Sequence, residues 1–319
     1  MKALRLVAAA VLACAVANTA VAADKFVAIT QIVEHPALDA CRKGVRDALA
    51  DAGYVVDKNL KWSFQSAQGN IATATQIAKK FVGDGPDVIV AIATPSAQMV
   101  VGATKDIPVV FSAVTDPVGA KLVSNWEKPG KNVTGTSDML PLDQHLKMIK
   151  RAMPDAKRIG ILFNPGEANS VSSVADAKKV APAMGLSIAE GPAPNSSGVL
   201  AAARSLVGKV DAFYVPTDNT VVSAFEAVVK VGIDAKIPVF AADTDSVARG
   251  AVAALGFNYY EVGRQTGRMV VKILKGENPG NIPVAMLEKL DLFVNPGAAG
   301  KMGITLPAAM VGEAKKVVK

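Results

Sequence analysis

Cysteine is nearly absent: Cys14 and Cys41 are the only two in 319 residues. Cys14 lies inside an N-terminal apolar run, so a chain processed after that run keeps one thiol. It cannot close an internal disulfide and has to rely on a packed core. Cys41, within "ALDACRKGVRDALADAG", reads as a small core residue and not as a nucleophile. Histidine is as scarce, with only His35 and His145. His35 follows the first strand in "VEHP", a position open to the cleft, but one loop histidine beside Glu34 makes no zinc site, and without a nucleophile no catalytic pair. His145 falls within a helical pattern as a surface or packing residue. The chain has no G-x-G-x-x-G, Walker A, G-x-S-x-G or H-E-x-x-H motif. "GDGPD" precedes a strand, the wrong order for a dinucleotide turn. These absences argue against an enzyme, a cofactor or a metal. "NVT" at Asn132 and "NSS" at Asn195 match glycosylation acceptors, a pattern that recurs by chance.

Long apolar runs are also missing beyond the N-terminus, where about 18 residues would be needed for a span. The N-terminus itself is different. Lys2 and Arg5 precede the apolar stretch Leu6–Ala17, and Ala20-Val21-Ala22 supplies a small-residue cleavage pattern. That is the layout of a cleavable signal peptide covering residues 1–23, cut near Ala22. Reading "VLAC" as a lipobox at Cys14 would leave a very short signal. Removing Lys2 and Arg5 lowers the formal charge from +7 to +5. The remaining basic residues are scattered among acids, a solvated surface and not a nucleic-acid footprint.

What the chain does have is alternation. Apolar runs of strand length occur at Phe26–Thr30, Lys61–Gln65, Val88–Ala93, Pro108–Ala113, Arg158–Phe163, Ser187–Glu190, Ala212–Val215, Pro238–Ala241 and Ala251–Leu255. Between them lie helical patterns at Leu38–Ala52, Ile71–Phe81, Leu142–Ala152, Ser172–Met184 and Val222–Ala235. Gly53 and Gly185 follow helical patterns, where a left-handed cap favours glycine. Strands alternating with helices predict an α/β fold with parallel sheets covered on both faces. Residues 24–135 and 155–245 repeat the same order, which predicts two Rossmann-like lobes. The late helix "EVGRQTGRMVVKILKG" is assigned to the first lobe, so the chain crosses between lobes more than once.

In open parallel sheets, ligands bind beyond the carboxyl ends of the strands. Here those ends read "ITQIVEHP", "IATPSAQ", "SAVTDP", "LFNPGEANS", "YVPTDNT" and "FAADTDS". Each is polar, and singly each is an ordinary helix cap. Together, on two matching lobes, they predict the two jaws of a small-molecule cleft. Thr94 and Ser96 open a helix whose N-terminus favours an anion, as do Asn169 and Ser170 opposite. Asp116, Asp218 and Asp243 offer carboxylates for an ammonium group, and the combination suits a free amino acid.

The phrases "FSAVTDPVGAKLV", "NVTGTSD", "RIGILFNPGEANS" and "GFNYYEVGRQTG" resemble those of the tryptophan/tyrosine-type ABC transporter substrate-binding proteins, over essentially the whole mature chain. The resemblance implies a hinge-connected, type I periplasmic-binding-protein-like fold. Its lobes would be residues 24–137 with 256–285, and 138–255 with 286–319, turning near Thr136–Asp138 and Ala254–Asn258. It implies a periplasmic receptor that captures an amino acid, aromatic or branched-chain, and hands it to an inner-membrane ABC permease. A monomer without a cofactor or nucleic-acid partner is expected; the alternative is a periplasmic sensor presenting the ligand to a membrane receptor. By position, Gln31, Glu34, Thr94, Ser96 and Asp116 face Asn169, Ser170, Asp218 and Asp243, with Asn258 and Tyr259 at a crossing. Phe111, Phe257, Tyr259 and Tyr260 are the aromatics available for an apolar slot.

Overall fold

A computed structural model describes residues 24–318. The proposed signal peptide, with Cys14, lies outside these residues. The chain begins with β1 (Lys25–Gln31), α1 (Pro36–Asp51), β2 (Leu60–Ser66), α2 (Ile71–Asp84), β3 (Val88–Ile92), α3 (Thr94–Ala103), β4 (Val109–Val114) and β5 (Val133–Ser137). A second run follows: α4 (Leu142–Ala152), β6 (Arg158–Phe163), α5 (Ala168–Val180), β7 (Ser187–Pro192), α6 (Val199–Ser205), β8 (Ala212–Val215), α7 (Asn219–Ser223), α8 (Phe225–Ala235), β9 (Val239–Ala241) and β10 (Ala253–Gly256). The chain then builds α9 (Tyr259–Leu274), β11 (Ala285–Met286), β12 (Asp291–Val294), α10 (Pro296–Lys301), α11 (Ala308–Glu313) and β13 (Lys316–Val317).

The strands form two sheets, in the orders β11-β5-β4-β3-β1-β2 and β13-β12-β10-β9-β8-β6-β7. The first is parallel throughout, and in the second only the β10–β12 pair is antiparallel. Helices cover both faces, with α1 and α9 on one side of the first sheet and α2 and α3 on the other. The central strands are therefore buried on both sides. Every residue of β3 and β4 is shielded, which is why Val88–Ile92 reads as an unbroken apolar run. Three segments, 138–141, 257–258 and 287–290, carry the chain from one sheet to the other.

Several elements depart from the periodicity reading. Helix α5 starts at Ala168, four positions before the expected Ser172, and the stretch 181–184 closes as a 3-10 turn ending at Gly185, φ 65°. The expected helix Val222–Ala235 is two helices, broken at Ala224, because Asp218 caps an earlier start. Strand β5, "VTGTS", was not expected at all. Its hydroxyls are fully buried but bonded: Thr134 to the Ile282 carbonyl, Thr136 to Thr266, and Ser137 to the Thr115 carbonyl. A buried hydroxyl with a partner carries no burial penalty. Among the described residues no helix is long and apolar enough to cross a membrane.

Helix α9 reaches the first sheet by lying along α1 with almost no space between backbones. A Cβ on Gly263 would sit 1.9 Å from the Cys41 carbonyl oxygen, and one on Gly44 would sit 2.1 Å from that of Tyr260. Cys41 is fully buried at this seam, 3.0 Å from Ser112 Oγ, and burial pushes its thiol up to about 12. It is a packing residue. Replacing Gly263→Ala should force the two helices apart and cost about 2 kcal/mol, in the range for overpacked cores. A fall in the urea midpoint at unchanged slope is the expected result; an unchanged midpoint would show that the seam yields.

Candidate functional site

Both sheets reverse their strand order once, between β1 and β3 and between β6 and β8. Those reversals splay the loops at the carboxyl ends and open a crevice, the usual ligand position in such sheets. The two crevices face each other. Helix α3 of one lobe touches α5 of the other, and α1 touches the turn Thr244–Val247.

Deep between the lobes lies a cavity of about 20 Å³, lined from one side by His35, Leu38, Ala113 and Thr115 and from the other by Asn169, Thr217, Asp218, Val222 and Asp243. Asp138 and Tyr259 close it at the crossings. The backbone at its edge is bent on purpose. Strand β4 carries an irregularity between Phe111 and Val114, where Ala113 sits at φ 53°, and Ala93 sits at φ 72° just before α3. Such conformations in a residue other than glycine cost roughly 1–3 kcal/mol each and cluster at functional sites.

Hydroxyl groups link the lobes. Thr115 Oγ1 donates to Asp138 Oδ1 at 2.9 Å, and Tyr259 donates to Asp138 Oδ2 at 2.7 Å. Thr115 has then used its only proton, so the 3.0 Å contact to Thr217 across the cleft has Thr217 as donor. Ser172 also donates to Asp116 across the cleft, at 3.3 Å. In the second lobe, Glu167 accepts from Asn169 Nδ2, from the backbone and side chain of Asn219, and from those of Thr220. Asp218 accepts from the Asn164 backbone, Ser170 Oγ and the Val221 backbone. Those bonds hold the loops after β6 and β8 together.

The cavity is acidic. Asp138, Asp218 and Asp243 line it, while no lysine or arginine does. Burial, followed by the charge of Glu167, pushes Asp218 up to about 8. Burial also raises Asp138 and Asp243, against the hydrogen bonds each accepts. Burial and then the charge of Arg249 lower His35 to about 3, so its ring is neutral. Polar atoms shielded from solvent without a partner include His35 Nδ1, Asn169 Oδ1, Thr94 Oγ1 and Ser96 Oγ. Unpaired buried groups of this kind are rare in folded proteins and mark places where a further partner fits. Among the described residues no cluster of His, Cys, Asp or Glu could hold a metal.

Outside the cavity, a groove of about 430 Å³ runs along the cleft mouth and lies on both strand-order reversals. Ile32, Ile71 and Pro95 line it from the first lobe, and Gly166, Glu167 and Pro194 from the second. Asn219 borders both spaces.

Of the residues expected at the cleft, Asn169, Asp218, Asp243 and Tyr259 line the cavity. Thr94 and Ser96 lie buried in the first turn of α3, and Asp116 reaches across to Ser172 while capping the Gly119 backbone. The others stand apart. Gln31 is engaged with Val33, Asp39 and Arg42, and Ser170 sits behind Asp218 as its donor. Glu34 is exposed, because in extended backbone it alternates with the inward His35. Asn258 is an exposed cap of α9. Of the aromatics, Tyr259 alone lines the cavity; Phe111 is in the core, Phe257 is buried beside the crossings, and Tyr260 donates to Asp47. Thr115, Asp138, Thr217, Glu167 and Asn219 were not among the expected site residues. The repeated Thr-Asp after β4 and β8, in "SAVTDP" and "YVPTDNT", is the signal that points to Thr115 and Thr217. His145 is fully buried, not at the surface, with Nδ1 3.0 Å from the Tyr214 hydroxyl.

A family model described as "ABC transporter substrate binding protein" matches residues 26–318. A protein from Clostridioides difficile named "Tyrosine-binding protein" is 45% identical over 272 residues, covering 85% of this chain and 79% of its own length. Among solved structures, a Streptococcus pneumoniae domain in complex with L-Trp is 36% identical, covers 93% of this chain and all of its own, and superposes with a TM-score of 0.90. The ligand-free, open structure of a Clostridium difficile substrate-binding protein with adhesive properties is 44% identical. It covers 92% of this chain and 99% of its own, but its TM-score is only 0.69.

Both buried histidines have lowered ring pKa values, His35 to about 3 and His145 to about 4. Unfolded histidine titrates near 6.5. The unfolded chain therefore binds more protons below that point, and this part of the stability is lost as pH falls from about 6.5 toward 4 for His145 and toward 3 for His35. Ring NMR at pH 5 should show both imidazoles neutral; a midpoint near 6.5 for His35 would mean that it is solvated and not part of the closed cavity.

Proposed function

We propose that this chain, which belongs to the ABC transporter substrate-binding protein family, captures an aromatic amino acid between its two lobes. Membership in that family makes it a ligand-binding transport component and not an enzyme. The observation that carries the reading is the cavity itself: three buried carboxyl groups, no cationic side chain, and unpartnered polar atoms contributed by both lobes. An ammonium group fits the acidic end, against Asp138, Asp218 and Asp243. A carboxylate would fit the first turn of α3, which carries the buried, unpartnered hydroxyls of Thr94 and Ser96 and the positive end of the helix dipole. The names of the tyrosine-binding relative and of the tryptophan complex support an aromatic side chain.

The better superposition on the tryptophan complex than on the more identical open structure supports a closed arrangement here. Capture then works by population shift. The lobes, taken as 24–137 with 256–285 and 138–255 with 286–319, rotate about the three crossing segments. A ligand moves that equilibrium only through its preference for the closed form. The cavity in this arrangement holds about one water-sized sphere, far below the roughly 300 Å³ of common ligand sites, so the ligand enters with the lobes apart and the ligand-bound form closes less tightly here than the arrangement described. Export to the periplasm by the signal at residues 1–23, action as a monomer and delivery to an inner-membrane permease complete the proposal.

The test is thermal unfolding of residues 24–319 after any carried ligand has been stripped by unfolding and refolding. Tyrosine or tryptophan at about 100 Kd adds close to 2.7 kcal/mol to the native state, a rise of about 5 °C or more for lobes of this size. A rise with sugars alone would retain the family and refute the amino-acid reading. Asp138→Asn, which removes one charge from the acidic end, should weaken tyrosine binding by about tenfold or more, as expected for a charge-assisted hydrogen bond. Unchanged affinity by titration calorimetry would take Asp138 out of the site.

A further inference from the structure

We infer that His35 Nδ1 and Asn169 Oδ1 are the acceptors that recognise the ligand's ammonium group, one from each lobe, and that they restrict the site to unsubstituted primary amines. The inference rests on the amino-acid reading of the cleft and names the atoms through which that reading works. Only the ammonium group is placed in the deep cavity. That space, about 20 Å³, holds one water-sized group, and an ammonium nitrogen is of that size. The rest of the ligand lies outside it, between lobes that close less tightly.

The acids of the cavity already have donors. Asp138 accepts from Thr115 on one oxygen and from Tyr259 on the other. Both oxygens of Asp218 are engaged by Asn164, Ser170 and Val221, and both of Asp243 by Ser246. These groups supply negative charge. His35 and Asn169 supply acceptors with nothing bound to them. The two residues are 8% and 2% exposed, both line the cavity, and each has one shielded polar atom without a partner. In Asn169 the amide nitrogen donates to the Glu167 carboxylate and the Thr217 carbonyl, which fixes the amide and turns Oδ1 away from them. In His35, burial and then the charge of Arg249 keep the ring neutral, opposed by a hydrogen bond with the Asn219 side chain. That bond favours the protonated ring, so His35 is its donor, and it uses Nε2 because Nδ1 has no partner. Nδ1 of the neutral ring then carries the lone pair. An ammonium group offers three N–H donors: two meet His35 Nδ1 and Asn169 Oδ1, and the third is left for a cavity carboxylate. Since the two acceptors sit on opposite lobes, the amine is held from both sides only when the lobes come together. A methyl group on the nitrogen removes one donor and strands a buried acceptor, which costs binding.

Titration calorimetry on stripped 24–319 separates the outcomes, using L-tyrosine, N-methyl-L-tyrosine and 3-(4-hydroxyphenyl)propionate, which lacks the ammonium group. N-methyl-L-tyrosine is expected to bind about tenfold or more below tyrosine, the loss of one buried charge-assisted hydrogen bond. His35→Phe removes the acceptor and keeps a flat ring. It should weaken tyrosine about tenfold and leave the propionate within about twofold. His35→Asn keeps a polar atom at the place of Nδ1 and should recover most of the tyrosine affinity. Equal losses of tyrosine and propionate in His35→Phe would make His35 a packing residue and overturn the inference. N-methyl-L-tyrosine binding as tightly as tyrosine would overturn it too, while leaving the amino-acid reading intact. Failure of tyrosine to bind the unmodified protein would overturn that reading and the inference with it.

Discussion

The contact between α1 and α9 governs how the rest of the molecule is arranged. Helix α9 follows strands β6 to β10 of the second sheet along the chain, yet it lies on the first. It can do so because Gly44 and Gly263 let the two backbones meet, with no room for a Cβ at either position. Returning the chain in this way turns a single linker into three crossings, at 138–141, 257–258 and 287–290. The carboxyl ends of both sheets are thereby held face to face, and the strand-order reversals of the two lobes share one cleft.

Within that cleft, most groups serve structure and site at once. Asp218 and Asp243 cap the turns that follow β8 and β9, and the same side chains line the cavity. A carboxylate anchored to two or three donors is already oriented before a ligand arrives, which lowers the cost of binding. Asp138 is held in the same way by Thr115 and Tyr259, and so ties the end of β4 to two of the crossings. Burying acids away from solvent is costly, and the raised pKa values of Asp138, Asp218 and Asp243 express that cost, with the charge of Glu167 adding to it at Asp218. An entering ammonium group would relieve it.

The direct bonds across the cleft are few. Thr217 to Thr115 and Ser172 to Asp116 are hydroxyl bonds, each worth about 1 kcal/mol net. Bonds of that strength bias an equilibrium without locking it. Under the proposed capture, the larger part of any preference for closure would come from the ligand, through unpartnered atoms such as those of His35 and Asn169.

How much of this was legible depends on which force sets each feature. Strands such as Val88–Ile92 announce themselves because burial on both faces demands an unbroken apolar run, and the polar ends after β8 and β9 follow from capping by Asp218 and Asp243. Strand β5 was hidden because its burial is satisfied by hydrogen bonds and not by apolar side chains. The polar strand ends and the acids among them could be read from local order along the chain. Which of those residues meet could not. Gln31 and Ser170 turn to neighbours in their own lobe, Glu34 and Asn258 face solvent, and Thr115, Asp138 and Thr217 converge from positions 115, 138 and 217. Local sequence determines strands, helices and caps because their periodicity and hydrogen bonds act over a few residues. The site was decided by long-range packing, through a glycine seam and three crossings that bring separate strand ends within bonding distance.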